Sequence, residues 1–173
     1  LLLMTVLSYA QEQKRYAVTA LSSIYMRVAP DYESALETQE LMGTVVEIVG
    51  EKGYWREIVS PQPYKAWTTE KTLVEMTQEQ IAEYEKAPKY LFCAQYGHVY
   101  ASADEDSPRL TDLVGGDLLR IVEKNGKPVT RCGKWAEVML PDGRTGWTYR
   151  KNVRILGERI NIRQGDSSEG LID

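Results

Sequence analysis

The chain has 173 residues, of which 43% are hydrophobic and 27% charged, enough for one ordinary domain or two small ones. Its formal net charge of −4 argues against a protein that binds a nucleic-acid backbone. With one histidine and two distant cysteines, the sequence shows no metal-ligand cluster, and we expect no metal site and no cofactor.

The first ten residues, LLLMTVLSYA, are apolar and small, and they are too short to span a bilayer. They are typical of the end of a signal peptide, with Ser8-Tyr9-Ala10 as a small-x-small cleavage site. A buried strand is the alternative. We therefore expect residues 1–10 to be a signal-peptide remnant and the mature protein to be exported, periplasmic or extracellular, without a membrane span.

Short segments rich in β-branched and aromatic residues follow between residues 16 and 75. Turn-forming residues separate them, at Ala29-Pro30-Asp31, Glu51-Lys52-Gly53 and Ser60-Pro61-Gln62-Pro63. This alternation of short strands and turns predicts an all-β fold of the small-barrel type.

Residues 76–87 predict a short α-helix that links the two halves of the chain. Thr77 and Gln80 have the spacing of a capping box, and Met76 and Ile81 that of a hydrophobic staple. A proline directly after the segment ends the helix.

The second half, residues 88–155, repeats the pattern of the first. Its tryptophans, Trp135 and Trp147, have the same separation as Trp55 and Trp67, and the two pairs lie 80 positions apart. A long repeat present twice indicates a duplicated domain rather than a solenoid. Chance similarity is the alternative.

The upstream strands match as well, at an offset of 73, where GTVVEIV (43–49) lies over GDLLRIV (116–122). The charges of the two copies differ: residues 16–75 hold five Lys/Arg and nine Asp/Glu, and residues 88–156 hold eleven and eight. These charges could help the copies dock, or attract an anionic polymer to the second copy; an ordinary solvated surface is the alternative. Because domains this small are marginal alone, we expect an interface between the copies.

Strand parity separates Trp55 from Ile58, because residues three apart on a strand point to opposite faces. Ile58 is the predicted core position. The indole of Trp55 is then either covered by a neighbouring loop or exposed in a groove, and the sequence leaves both open.

Three stretches of the first copy together resemble the bacterial SH3 (SH3b) family: IYMRVAPDYES (24–34), GTVVEIVGEKGYWREIV (43–59) and KAWTTEKTL (65–73). Met26 stands where the family's turn usually has Asn, and the second copy's VYASADEDSP lacks the turn's Arg. The resemblance implies two SH3-like small β-barrels joined by a short α-helix, with SH3b domains at 16–75 and 88–155.

A signal peptide followed by two such copies resembles the front of NlpC-type cell-wall cysteine peptidases, which are dipeptidyl-peptidase VI-like hydrolases that cut murein stem peptides beside D-glutamate. The resemblance implies that residues 156–173 lead to a C-terminal catalytic domain; a frayed end is the alternative. The family's Asp-Cys-Ser-Gly motif is absent. Cys93 and His98 would lie roughly 16 Å apart on an extended strand, so we predict no catalytic residues. Cys93 and Cys132 could form a disulfide or remain free.

The leading hypothesis is a non-catalytic module that binds peptidoglycan, through its stem peptide or glycan, and positions it for a catalytic domain. The candidate ligand-binding residues are Tyr25, Arg27, Asp31, Tyr32 and Trp55. Aromatic faces give apolar contact at low entropic cost, and Arg27 could pair with a stem-peptide carboxylate or with an acidic neighbour on the surface. Two alternatives remain: the N-terminal part of a γ-D-glutamyl-diamino-acid endopeptidase, and an adaptor for proline-rich peptides.

Overall fold

The structure is a computed structural model that describes residues 14–129 and 133–157. Its regular elements are two seven-stranded antiparallel sheets, a two-stranded hairpin, one α-helix and two 3-10 turns. The predicted all-β class is confirmed. The predicted signal-peptide remnant, the segment from residue 158 onward and Cys132 lie outside the described residues.

The first sheet contains seven short strands. Its elements are β1 (Arg15–Thr19), β2 (Ser23–Arg27), β3 (Leu36–Leu41), β4 (Val45–Lys52), β5 (Trp55–Val59), β6 (Lys65–Thr69) and β7 (Leu73–Met76). They lie in the order β3-β2-β6-β5-β4-β1-β7. In β2, Ile24 and Met26 are buried whereas Tyr25 between them is exposed, as the alternation of a strand requires. The rest of this core comes from Ala17, Val46, Ile48, Ile58, Ala66 and Leu73.

The described residues of the second half form nine strands. They are β8 (Lys89–Phe92), β9 (Tyr96–Tyr100), β10 (Arg109–Val114), β11 (Leu118–Ile121), β12 (Glu123–Lys124), β13 (Lys127–Pro128), β14 (Trp135–Met139), β15 (Thr145–Tyr149) and β16 (Val153–Ile155). Seven of them form the second sheet, in the order β10-β9-β15-β14-β11-β8-β16, which is the arrangement of the first sheet. Strands β12 and β13 form a separate hairpin whose turn, Asn125 and Gly126, has φ of 54° and 69°, the positive values that a two-residue turn needs.

In the described part of the chain, neither ladder closes on itself. The edge strands are β3 and β7 in the first sheet, and β10 and β16 in the second. The structure therefore shows two antiparallel sheets of matching strand order, while closure into SH3-like barrels stays a prediction.

Helix α1 (Gln78–Lys86) connects the sheets and is slightly shorter than the predicted 76–87. The capping box is present: the Gln80 amide donates to Thr77 Oγ1 (3.3 Å), and the Thr77 amide donates to Gln80 Oε1 (2.9 Å). At the other end, Lys89 Nζ donates to the Ala87 carbonyl at 3.0 Å and to two further helix carbonyls. A lysine in this place compensates the unpaired carbonyls of the last turn.

The two sheets meet at the turn between β3 and β4. Met42 of this turn is fully buried and belongs to the core of the second sheet, not to that of the first. Its amide donates to Asp117 Oδ1 (3.1 Å), and its carbonyl accepts from the Leu118 amide (3.0 Å). Gly43 follows with φ of 87°, and a Cβ there would lie 2.6 Å from the Leu118 carbonyl oxygen. The expected interface between the two halves is thus built on a backbone approach that only glycine permits.

Candidate functional site

Four of the five predicted ligand-binding residues line one cleft on the first sheet. Tyr25, Arg27, Tyr32 and Trp55 surround a space of about 300 Å³. Strand β2 supplies the first two, the loop after it supplies Tyr32, and the start of β5 supplies Trp55. This volume is at the lower end of the range for small-molecule sites.

Three threonines add hydroxyl groups to the aromatic lining of the cleft. Thr68, Thr69 and Thr72 all face the space. The hydroxyls of Thr68 and Thr72 are 2.9 Å apart, and the Thr72 hydroxyl donates to the Thr69 carbonyl at 2.7 Å. Because the Thr72 hydroxyl donates to the Thr69 carbonyl, the Thr68 hydroxyl must donate to Thr72, and these two groups can offer a ligand only acceptor lone pairs.

Trp55 is covered rather than exposed. It lies outside the core cluster of Ile58, yet only 5% of its surface is accessible. The ring of Tyr32 lies 4.9 Å from it and the ring of Tyr54 lies 5.7 Å from it, centroid to centroid. The possibility of an open indole groove is thus wrong, because Tyr32 of the loop after β2 and the preceding residue, Tyr54, both cover the ring. A ligand in this cleft would meet mainly the exposed Tyr25 and Tyr32.

Arg27 and Asp31 shape the loop between β2 and β3. Arg27 Nη1 donates to the Ser34 carbonyl at 2.6 Å, and Asp31 Oδ1 accepts from the Glu33 amide at 2.9 Å. Asp31 is exposed but is not among the residues that line the cleft. Its contact is that of an Asx turn, so these two residues hold Tyr32 in position whether or not they also touch a ligand.

Six of the residues that line the cleft were not predicted as site residues: Leu21, Ser23, Ile24, Thr68, Thr69 and Thr72. Leu21 is 44% exposed. Tyr54, which was not predicted either, does not line the space but stacks on both Tyr32 (6.2 Å) and Trp55. Desolvation, and to a smaller extent a hydrogen bond with Tyr54, raise the pKa of the Tyr32 hydroxyl. The adjacent residues Tyr54 and Trp55 were a usable sequence signal for an aromatic cluster. Tyr54 directly precedes β5, and its ring stacks on that of Trp55.

The second sheet carries a related aromatic cluster at the matching positions. Trp135 and Tyr149 stack at 4.6 Å with an angle of 16°, and Tyr100 meets Trp135 edge-on at 5.6 Å. An ion pair, Lys134 with Glu105 at 2.9 Å, stands where the first sheet has Tyr54 and Tyr32. A hydrogen bond to Glu105 raises the pKa of Tyr149 to about 12.

The only histidine of the chain faces an aspartate. His98 Nδ1 lies 2.9 Å from Asp112 Oδ1, which also accepts from the Tyr96 hydroxyl at 3.1 Å. The Cys93 thiol instead contacts the Leu91 carbonyl at 3.5 Å. Within the described ranges, no group of three or more His, Cys, Asp or Glu is placed to hold a metal ion, and no helix there is long and apolar enough to cross a bilayer.

No protein-family model matches the sequence, and no curated protein matches it. Solved structures do match. An NlpC/P60 family protein from Bacillus cereus is 18% identical, with a TM-score of 0.64 over 81% of this chain and 56% of that one. An NlpC/P60 endopeptidase from Photobacterium damselae subsp. piscicida is 14% identical, with a TM-score of 0.51 over 82% of this chain and 32% of that one. At these identities the likeness is one of fold, and the chain spans about half or less of the length of each neighbour.

Proposed function

We propose that the chain is a non-catalytic, exported module that binds peptidoglycan and positions it for a peptidase domain. In this proposal each sheet is an SH3-like barrel of the bacterial SH3 type, at residues 16–75 and 88–155. The fold that the chain shares with NlpC/P60 proteins supports a relation to cell-wall peptidases. The observation that carries the proposal is the cleft in which Tyr25, Arg27, Tyr32 and Trp55 come together.

The composition of the cleft suits a murein stem peptide or the glycan attached to it. Tyr25 and Tyr32, which are 57% and 58% exposed, offer flat apolar faces to methyl groups or sugar rings. The threonine hydroxyls of the lining can accept hydrogen bonds from the amide N–H groups of a short peptide. Arg27 reaches the same space and can attract a carboxylate, although one of its nitrogens already holds the loop.

Retention on purified sacculi tests this proposal. The wild-type chain should sediment with sacculi at low and at physiological salt. Tyr25→Ala should lower the retained fraction several-fold, because an exposed aromatic anchor of a binding site typically contributes more than about 1 kcal/mol. Tyr64→Ala is the matched control, since Tyr64 is a similarly exposed tyrosine that does not line the cleft. Absence of retention at both salt concentrations would remove autonomous wall binding.

A second candidate is that the chain is the N-terminal part of a γ-D-glutamyl-diamino-acid endopeptidase of NlpC type. The coverage of its structural neighbours favours this, because both are longer than the matched region. In such a protein the cleft would contact the catalytic domain of the same chain. Reading the gene beyond Asp173 tests the idea: an Asp-Cys-Ser-Gly motif within the next fifty or so codons supports it, and a stop codon directly after Asp173 ends it.

A further inference from the structure

One face of strands β9 and β10 carries a cluster of three side chains in the second sheet, outside the cleft of the first sheet. Tyr96 and His98 alternate with the buried Val99 along β9, and Asp112 of β10 pairs with His98 in the register of the two strands. Because residues two apart on a strand share a face, the three side chains lie side by side, on the face opposite to the core.

Asp112 is an exposed carboxylate that two neighbours hold in a fixed position. Its Oδ1 accepts from the Tyr96 hydroxyl at 3.1 Å and lies 2.9 Å from His98 Nδ1. Because a carboxylate can only accept, His98 Nδ1 carries the proton of this contact. The side chain of Asp112 is still 60% exposed, and no other group of the described residues donates to it. Of the roughly four lone-pair sites of a carboxylate, about two therefore remain for a ligand.

Tyr96 supplies an aromatic face next to this carboxylate. Its side chain is 57% exposed, and its ring meets the imidazole of His98 at 5.0 Å and an angle of 82°, which restricts the orientation of the ring. Desolvation and the hydrogen bond to Asp112 raise the pKa of Tyr96, so its hydroxyl keeps the proton that holds the carboxylate. An aromatic face fixed in this way gives apolar contact area at low entropic cost.

The first sheet provides an internal comparison. At the matching positions, 73 residues earlier, it has Ser23, Tyr25 and Gln39. The same strand order forms with these residues, so the fold does not require a carboxylate held by an imidazole and a phenol. The cluster is thus a property of the second sheet alone, on the strand face where the first sheet exposes Tyr25.

We propose that Tyr96 and Asp112 bind a sugar ring of an uncharged glycan. The C–H face of a sugar is apolar and packs on an aromatic ring, while two adjacent donors on its rim match the two remaining acceptor sites of Asp112. The carboxylate repels an anion. An organic cation is disfavoured because Arg109 is close enough for its charge to act on Tyr96. This inference is independent of wall binding by the first sheet.

Titration of the isotope-labelled full chain with cellotetraose and with chitotetraose, followed through amide chemical shifts, tests the proposal. Both oligosaccharides are neutral and offer adjacent donors, two hydroxyls in the first and a hydroxyl beside an acetamide N–H in the second. We expect at least one of them to bind with a dissociation constant of about 1 mM. The shifts should concentrate at residues 96–98 and 110–113 and leave residues 23–25 and 37–40 unmoved, a readout that needs no variant to fold.

Variants show whether the two side chains make the contact. Tyr96→Ala and Asp112→Ala should each weaken binding about fivefold or more, as truncation of an anchoring side chain does. Gln39→Ala, at the position in the first sheet that matches Asp112, should bind like the wild type. Absence of saturable shifts with both oligosaccharides, shifts confined to the first sheet, or unchanged affinity in either of the first two variants would overturn the proposal. Binding of the polyamine spermidine as tight as that of the oligosaccharides would do so too.

Discussion

At the scale of single residues, Trp55 shows how a side chain can be buried without belonging to the core. Alternation along β5 directs it away from Ile58, and the sequence was sufficient to predict this. Its cover comes from Tyr32, which is 23 positions earlier in the chain, and such a contact depends on how the intervening loop folds back. The burial of Trp55 therefore depends on Tyr32, whose own side chain is exposed.

Removing the Tyr32 ring should expose the indole. Tyr32→Ala should increase the quenching of tryptophan fluorescence by acrylamide and lower the free energy of unfolding by about 1 kcal/mol, the usual worth of an aromatic pair beyond its area. Tyr64→Ala, which is outside the cleft, should change neither. Identical quenching of Tyr32→Ala and the wild type would show that Tyr54 alone protects Trp55.

At the scale of elements, the loops after β2 and β9 are built alike from dissimilar sequences. In the first, the Ser34 hydroxyl accepts from the Ala29 amide at 2.9 Å; in the second, the Ser107 hydroxyl accepts from the Ser102 amide at 3.2 Å. Asp31 and its counterpart Asp104 each accept an amide two residues ahead. The second loop lacks the arginine of the first, and its proline, Pro108, is shifted relative to Pro30. The aspartate and serine three positions apart are the shared determinants, because their oxygens replace missing backbone partners.

The serines should therefore matter equally in both loops. Ser34→Ala and Ser107→Ala should each lower the free energy of unfolding by about 1 kcal/mol, the net value of a typical hydrogen bond. Ser102→Ala serves as the control, since its backbone amide rather than its hydroxyl makes the contact. Urea unfolding curves measure the differences. A loss in Ser34→Ala without one in Ser107→Ala would mean that the second loop is held by other contacts.

At the scale of the whole molecule, the two sheets are joined by one residue of the first half that packs in the core of the second. Met42 lies in the first half of the sequence, yet it packs with Tyr90, Leu119 and Val153 of the second core. The repeat in the sequence predicted strands, their order along the chain and the presence of an interface. It could not predict this contact, because the matching position of the second copy is Gly115 and the pattern within a copy says nothing about which turn faces the other. Substitution of Met42 would consequently destabilise mainly the second sheet, although Met42 belongs to the first half of the chain.

Asp117 makes this junction sensitive to pH. Its side chain is fully buried, and its two oxygens accept from the amides of Met42 (3.1 Å) and Val114 (2.8 Å). Burial raises the pKa of Asp117 to about 7 even though both amides favour the charged form. An aspartate in the unfolded chain has a pKa of about 3.9, so between these values the folded protein holds a proton that the unfolded chain has released. Stability from this group is complete below about pH 4 and is lost as the pH rises towards about 7.

The free energy of unfolding should therefore fall as the pH is raised from about 5 to about 8, by at most about 3 kcal/mol for this one group. Carboxylates whose pKa is lowered by ion pairs, such as Glu51 and Glu75, act below this window and with the opposite sign. His98→Gln provides a background without the chain's one histidine. In that background Asp117→Asn, which cannot ionise, should give a nearly flat profile in urea titrations. It should also be less stable than its parent at about pH 5, because an amide can accept only one of the two backbone hydrogen bonds well. An equal slope with aspartate and asparagine at this position would mean that the pH dependence arises elsewhere and that Asp117 is already ionised in the folded junction.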